Sequence, residues 1–220
     1  MLLESYLNHI QLQEGYIFSG KTISVDLDKF ESGESNKLIV VGLSGGGKSS
    51  LSMHLAKKYN CYHNETDICS KQSLSQEEYL EFIMNPKSAS NVKIFKHLYI
   101  NCFKPALLSN KKEILDGPIF QSYALDPSTR PLINKYPVII LGKSALRSVW
   151  DRTQRTLRKQ YAQEKYNTKK DIYEKYKRGL ILNFKYLQKY LNQFKELRIK
   201  SGGNVQELKV PMLDRKGIKS

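Results

Sequence analysis

Apolar and polar residues alternate over Ile23-Ser24-Val25-Asp26-Leu27, run unbroken over Leu38-Ile39-Val40-Val41, and then recur every fourth position at Leu51, Leu55 and Tyr59. Alternation predicts a half-buried strand, and the unbroken β-branched run after Lys37 predicts a central parallel strand covered on both faces. The four-residue recurrence predicts a helix over Ser49 to Tyr59, with Lys57 and Lys58 near the end that favours cations. Further along, Cys61 to Thr66 reads as a polar second strand ending at Asp67. Ser75 to Met84 reads as a helix with Ser75 as N-cap and Glu77 and Glu78 in its first turn. A helical stretch follows over roughly Val92 to Leu108, then a short strand over Lys112 to Gly117 and a stronger one over Tyr136 to Leu141. Strands separated by helices imply an α/β fold, a parallel sheet with helices on both faces.

From Ser144 to Leu197 the pattern is mainly helical, with Tyr173, Tyr176, Leu180, Phe184, Leu187, Leu191 and Phe194 on one stripe. Gly202-Gly203 interrupts it, and Val205 to Val210 can return as a fifth strand. The expected organisation is an N-terminal extension over residues 1–36, a core over 37–212 with a basic helical lid or extension at 144–200, and a tail over 213–220.

Between the buried strand and the first long helix stands Gly42-Leu43-Ser44-Gly45-Gly46-Gly47-Lys48-Ser49. Glycine, four residues, glycine, lysine, serine is the P-loop pattern, and the flanking strand and helix are the context that gives it meaning. Glycines let successive backbone N–H groups converge on phosphate oxygens, and the helix N-terminus adds partial positive charge. Gly42, Ser44, Gly45, Gly46, Gly47, Lys48, Ser49 and Ser50 are thus the expected cofactor-binding residues for ATP. Lys48 would reach the β- and γ-phosphates, and Ser49 would ligate Mg²⁺. The same expression recurs at Gly15-Tyr16-Ile17-Phe18-Ser19-Gly20-Lys21-Thr22, but a polar stretch precedes it and a strand pattern follows. A β-hairpin turning at Ser19-Gly20 is the expectation there.

Charge adds a second theme. The net charge of +15 lies entirely in residues 111–220, which hold 25 basic and 10 acidic side chains against 11 of each in residues 1–110. Such a field attracts polyanions, so nucleic acid could contact residues 143–200, where Tyr161, Tyr166, Tyr173, Tyr176, Tyr186 and Tyr190 interleave with lysine and arginine. No apolar run approaches the roughly 20 residues that span a bilayer, and no basic residue precedes the short apolar start. No membrane partner is therefore expected. Cys61, Cys69 and Cys102 are too few and too scattered for a disulfide framework, which points to a reducing cytoplasm. His9, His54, His63 and His97 show no metal-ligand spacing.

In order of parts, residues 37–212 resemble the P-loop kinases of the nucleoside-monophosphate and shikimate kinase type. The resemblance implies a P-loop NTPase fold with five parallel strands, a carboxylate after the second strand that meets the acceptor, a strand ending in Asp-Gly, and an arginine-bearing lid. Asp67, Asp116-Gly117 and Arg147, Arg152, Arg155 and Arg158 stand at the matching places; Arg130 is a further candidate. Lys48, Asp67, Arg152 and Arg155 are then the expected catalytic residues, and Ser49 and Asp116 the expected Mg²⁺ ligands. The chain departs from the adenylate-kinase-like continuation Phe-Pro-Arg, reading Pro118-Ile119-Phe120 after Gly117.

The implied function is ATP-dependent transfer of the γ-phosphate to a nucleotide or another small hydroxyl or phosphate acceptor. The charge asymmetry keeps open a kinase whose acceptor is DNA or RNA. A third reading, an ATPase module without phosphotransfer, rests on Ile23 to Lys37, which looks somewhat like the entry into transporter-type ATPase domains, although the Leu-Ser-Gly-Gly-Gln signature is missing.

Overall fold

The computed structural model describes residues 21–43, 45–75, 89–117, 129–142 and 188–210, with isolated positions 78, 127, 148 and 177. Its strands are β1 (Ile23–Val25), β2 (Lys37–Val41), β3 (Tyr62–Glu65), β4 (Glu113–Asp116), β5 (Val138–Ile140) and β6 (Val205–Glu207). They form one sheet in the order β3-β4-β2-β5-β1-β6. Neighbours among β2, β3, β4 and β5 pair in parallel. β1 pairs antiparallel with both β5 and β6, so β6 points the same way as the other four.

The fold is thus α/β with a six-stranded, mostly parallel sheet, and the expectation of five strands is corrected. The additional strand is β1, inserted against the others. Both of its sides are occupied, by Ile140 and Glu207 at Ile23 for example. The reason is that alternation reports a half-buried strand but not its partner. The hairpin turn at Ser19-Gly20 lies outside the described residues.

Helices cover both faces, and β2 shows how. Leu38 and Val40 point into a cluster with Leu27 and Phe30 of α1 (Leu27–Glu31) and Leu51 and Leu55 of α2 (Lys48–Lys58). Ile39 and Val41 point oppositely, toward Ile94 and Leu98 of α4 (Ala89–Leu98) and Leu191 and Phe194 of α7 (Gln188–Lys200). A period of two on a strand covered on both faces accounts for its wholly apolar interior.

The helix expected over Val92 to Leu108 is present but not uniform. A π-helical turn, Tyr99–Phe103, joins α4 to α5 (Lys104–Leu108), and the Lys104 N–H donates to the carbonyl of Tyr99, five residues back. Pro105 lacks the N–H that would continue the regular ladder, and the wider turn accommodates it. Ser75 acts as the expected cap: the Glu78 N–H donates to its Oγ at 3.1 Å, and its own N–H donates to Glu78 Oε2 at 2.9 Å. These reciprocal bonds form a capping box. The helix beyond it lies largely outside the described residues, as does the apolar stripe from Tyr173 to Leu187.

Two buried cations tie the layers together. Arg198 of α7 donates to the carbonyls of Asn134 and Tyr136 and lies 3.7 Å from Asp26 Oδ2. It fastens α7 to α6 (Arg130–Asn134) and to the end of β1. At the amino edge, Lys37 donates to Ser109 Oγ, the Lys111 carbonyl and Glu113 Oε2 at 2.7, 2.5 and 2.8 Å. All three of its protons have acceptors.

Candidate functional site

At the opposite, carboxyl edge of the sheet, β2 leads into the glycine loop. From β2 the chain passes over β4 to reach β3, and from β4 it passes over β2 to reach β5. The crevice where such connections diverge is where open α/β sheets bind ligands.

The loop's shape follows from its residues. Gly45 and Gly47 have φ of +84° and +96°, the left-handed region that costs glycine nothing. A Cβ on Gly46 would stand 2.8 Å from the carbonyl oxygen of Leu43, which accepts the Gly46 N–H at 2.9 Å. Gly42 is pressed against Leu141, where a Cβ would come within 2.9 Å of another Cβ. Leu43 is buried in the core and anchors the loop. Ser49 and Ser50 lie half-buried in the first turn of α2, where helical N–H groups lack intrahelical acceptors. Ser44 lies outside the described residues.

Lys48, the first residue of α2, is buried, and its Nζ donates to the Leu43 carbonyl at 3.2 Å. The ammonium therefore turns back over the loop. Its charge also reaches Asp67, whose carboxyl group is pushed up to about 6. Burial is the largest cause, opposed by Lys48, reinforced by Asp116, opposed by Lys71 and reinforced by Glu65. Lys48, Asp67 and Asp116 thus share one electrostatic neighbourhood.

Asp67 does not end the second strand, where the sequence placed it. β3 ends at Glu65 and α3 (Thr66–Ser73) begins at once, placing Asp67 in the first turn of a helix. The polar sequence there contains no breaker to separate strand from helix. Two contacts bind this turn to the end of β4. The Thr66 hydroxyl donates to the Asp116 carbonyl at 2.7 Å, and a Cβ on Gly117 would collide with Thr66 Oγ1. Gly117 is needed for this approach, whose consequence is that Asp116 and Asp67 lie together.

Asp116 is 1% exposed. It shares the β4 face that carries Ile114, the face covered by α2. Its Oδ2 lies 3.2 Å from His63 Nε2, yet neither atom makes an aligned hydrogen bond. His63 was absent from the residues predicted by sequence. It faces Asp116 because β3 and β4 pair with His63 opposite Ile114, putting Asp116 diagonally next along the same face. Nothing local in the sequence carries that register.

The cysteine expectation is corrected as well. Cys69 of α3 and Cys102 of the π-helical turn form a disulfide across a separation of 33 residues, and only Cys61 is free among the described residues. The inference of a reducing compartment loses its premise. The pairing is set by the packing of α3 against the turn, which spacing alone does not encode.

Arg147, Arg152, Arg155 and Arg158 lie outside the described residues, and Arg130 begins α6. No group of three or more His, Cys, Asp or Glu able to hold a metal occurs among the described residues. Mg²⁺ needs no such cluster, since one or two protein oxygens and substrate phosphates commonly hold it. The Ser49 hydroxyl and the buried Asp116 carboxylate are oxygen donors of the right kind. No described helix is long and apolar enough to cross a membrane. No protein-family model and no curated protein matches the chain.

Proposed function

We propose that the chain is a P-loop phosphotransferase that moves the γ-phosphate of ATP to a nucleotide or another small hydroxyl or phosphate acceptor. The observation that carries this reading is the meeting of Lys48 with Asp67 and Asp116 at the glycine loop, with Asp67 at about 6. A carboxylate near neutral is matched to proton transfer at physiological pH.

In this reading, N–H groups of Gly45, Gly46 and Gly47 and the first turn of α2 receive the phosphates, and Lys48 neutralises the γ-phosphoryl oxygens. Ser49 and Asp116 would hold Mg²⁺, which supplies charge neutralisation between the β- and γ-phosphates. Asp67 accepts the proton of the attacking hydroxyl as the new O–P bond forms and the bond to ADP breaks. Arg152 and Arg155 would close over the transferring group from the lid.

The test is transfer of labelled γ-phosphate from ATP across nucleosides, nucleoside monophosphates, small polyols and oligonucleotides. Label should appear on one acceptor class with wild-type protein and be lost in Lys48→Ala. Release of inorganic phosphate without any labelled acceptor would instead favour an ATPase module. The charge of residues 111–220 supports a second reading, an oligonucleotide acceptor. Label on oligonucleotide ends, with affinity falling steeply with salt, would select it.

A further inference from the structure

His63 and Asp116 bring an imidazole and a buried carboxylate together at the carboxyl edge of the sheet. Asp116 Oδ2 and His63 Nε2 are buried, 3.2 Å apart, and without aligned hydrogen bonds. An unsatisfied buried polar group destabilises the fold, so two kept side by side call for a role. The carboxylate also selects a tautomer. A proton on Nε2 is drawn to Oδ2 at 3.2 Å although the two are not aligned for a hydrogen bond, whereas the other tautomer would set two lone pairs near each other.

We infer that His63 is a positioning residue whose Nε2–H steadies Oδ2 of Asp116, leaving the other carboxylate oxygen to face the divalent cation of a bound nucleotide. This inference rests on the phosphotransferase reading of the loop. Three features carry it. Asp116 is anchored through its backbone by β2 and β3 on either side, with Val40 and Glu65 as register partners, so only its side-chain torsions remain to be set. Thr66 occupies the Asp116 carbonyl, not its carboxylate. His63 lies within ion-pair distance of the carboxylate, and its ring spans the diagonal between strands. Groups that orient a metal-binding side chain typically change metal affinity about 10–100-fold when removed.

The full-length protein should be titrated with Mg²⁺ in the presence of a fluorescent ATP analogue, and the Mg²⁺ midpoint for analogue binding compared across variants. His63→Leu, and His63→Asn, whose shorter amide falls short of Asp116, are expected to raise the midpoint about 10–100-fold. His63→Gln, with an amide nitrogen near the position of Nε2, should return it close to wild type. If His63→Leu does not fold, the comparison of Asn with Gln decides, with thermal melting showing that both are folded. Equal midpoints in wild type and His63→Asn overturn the inference, and so does a His63→Gln midpoint as high as that of His63→Asn. Wild-type protein that binds no analogue at any Mg²⁺ concentration overturns the nucleotide reading together with it.

Discussion

The two ends of the β2–β4 strand pair bury charge in opposite ways. At the amino end, Lys37 and Glu113 face each other in register, and Lys37 Nζ has three acceptors while Ser109 Oγ donates to Glu113 Oε2 at 2.8 Å. At the carboxyl end, Asp116 and His63 approach without an aligned hydrogen bond, and Asp67 is pushed up to about 6. The first cluster is internally complete and serves the fold. The second carries electrostatic cost beside the glycine loop, and on the proposed function a bound nucleotide would offset that cost.

The largest expected effect breaks the complete end. Lys37→Ala leaves Glu113 buried without its cation and should lower unfolding stability by about 4 kcal/mol, as read by denaturant titration, while protein that remains folded keeps its nucleotide affinity. Lys48→Ala is the converse. Removing one preorganised positive group should cost about 100–1,000-fold in phosphoryl transfer, with the thermal midpoint near wild type.

Next comes the covalent tie. Replacing Cys69 and Cys102 by serine should lower stability by about 3 kcal/mol, checked by chemical denaturation without reductant. Because Cys69 lies two residues from Asp67 on α3, the same variant should also weaken transfer, unlike a disulfide remote from the site.

The smallest effect is a pH signature. Asp67 titrates higher when folded than its ordinary 3.8, so the folded state binds its proton more tightly than the unfolded chain does. Its charge therefore penalises folding, with no penalty below about pH 4 and the full one above about pH 6. Asp67→Asn should match wild type in stability at pH 4 and exceed it by about 2 kcal/mol at pH 8, after allowance for remaining solvent contact. Transfer by wild type should rise with pH through a midpoint near 6, and the variant should lose that dependence.

Local signals made one part of this arrangement legible and left another dark. Leu38 to Val41, the glycines and the helix after Lys48 are contiguous, so strand, loop and helix could be read from periodicity and backbone requirements. Asp67 and Asp116 could be singled out, though not the helical turn that carries Asp67. β1 between β5 and β6, Cys69 with Cys102, and His63 with Asp116 are pairings between distant segments. They depend on register and layer packing, which the alternation of Ile23 to Leu27 or the polar run Tyr62 to Glu65 does not specify. The π-helical turn at Tyr99–Phe103 has a visible cause in Pro105, but proline alone does not say whether a helix ends, kinks or widens.

The central claim is that the carboxyl-edge cluster completes itself by binding a nucleotide. Isothermal titration of the full-length protein with ATP and Mg²⁺, in parallel with Lys48→Ala, tests it most directly. Saturable one-to-one binding that weakens at least about 100-fold in Lys48→Ala is the predicted result. No binding by the wild type, or equal binding by the two, would contradict it.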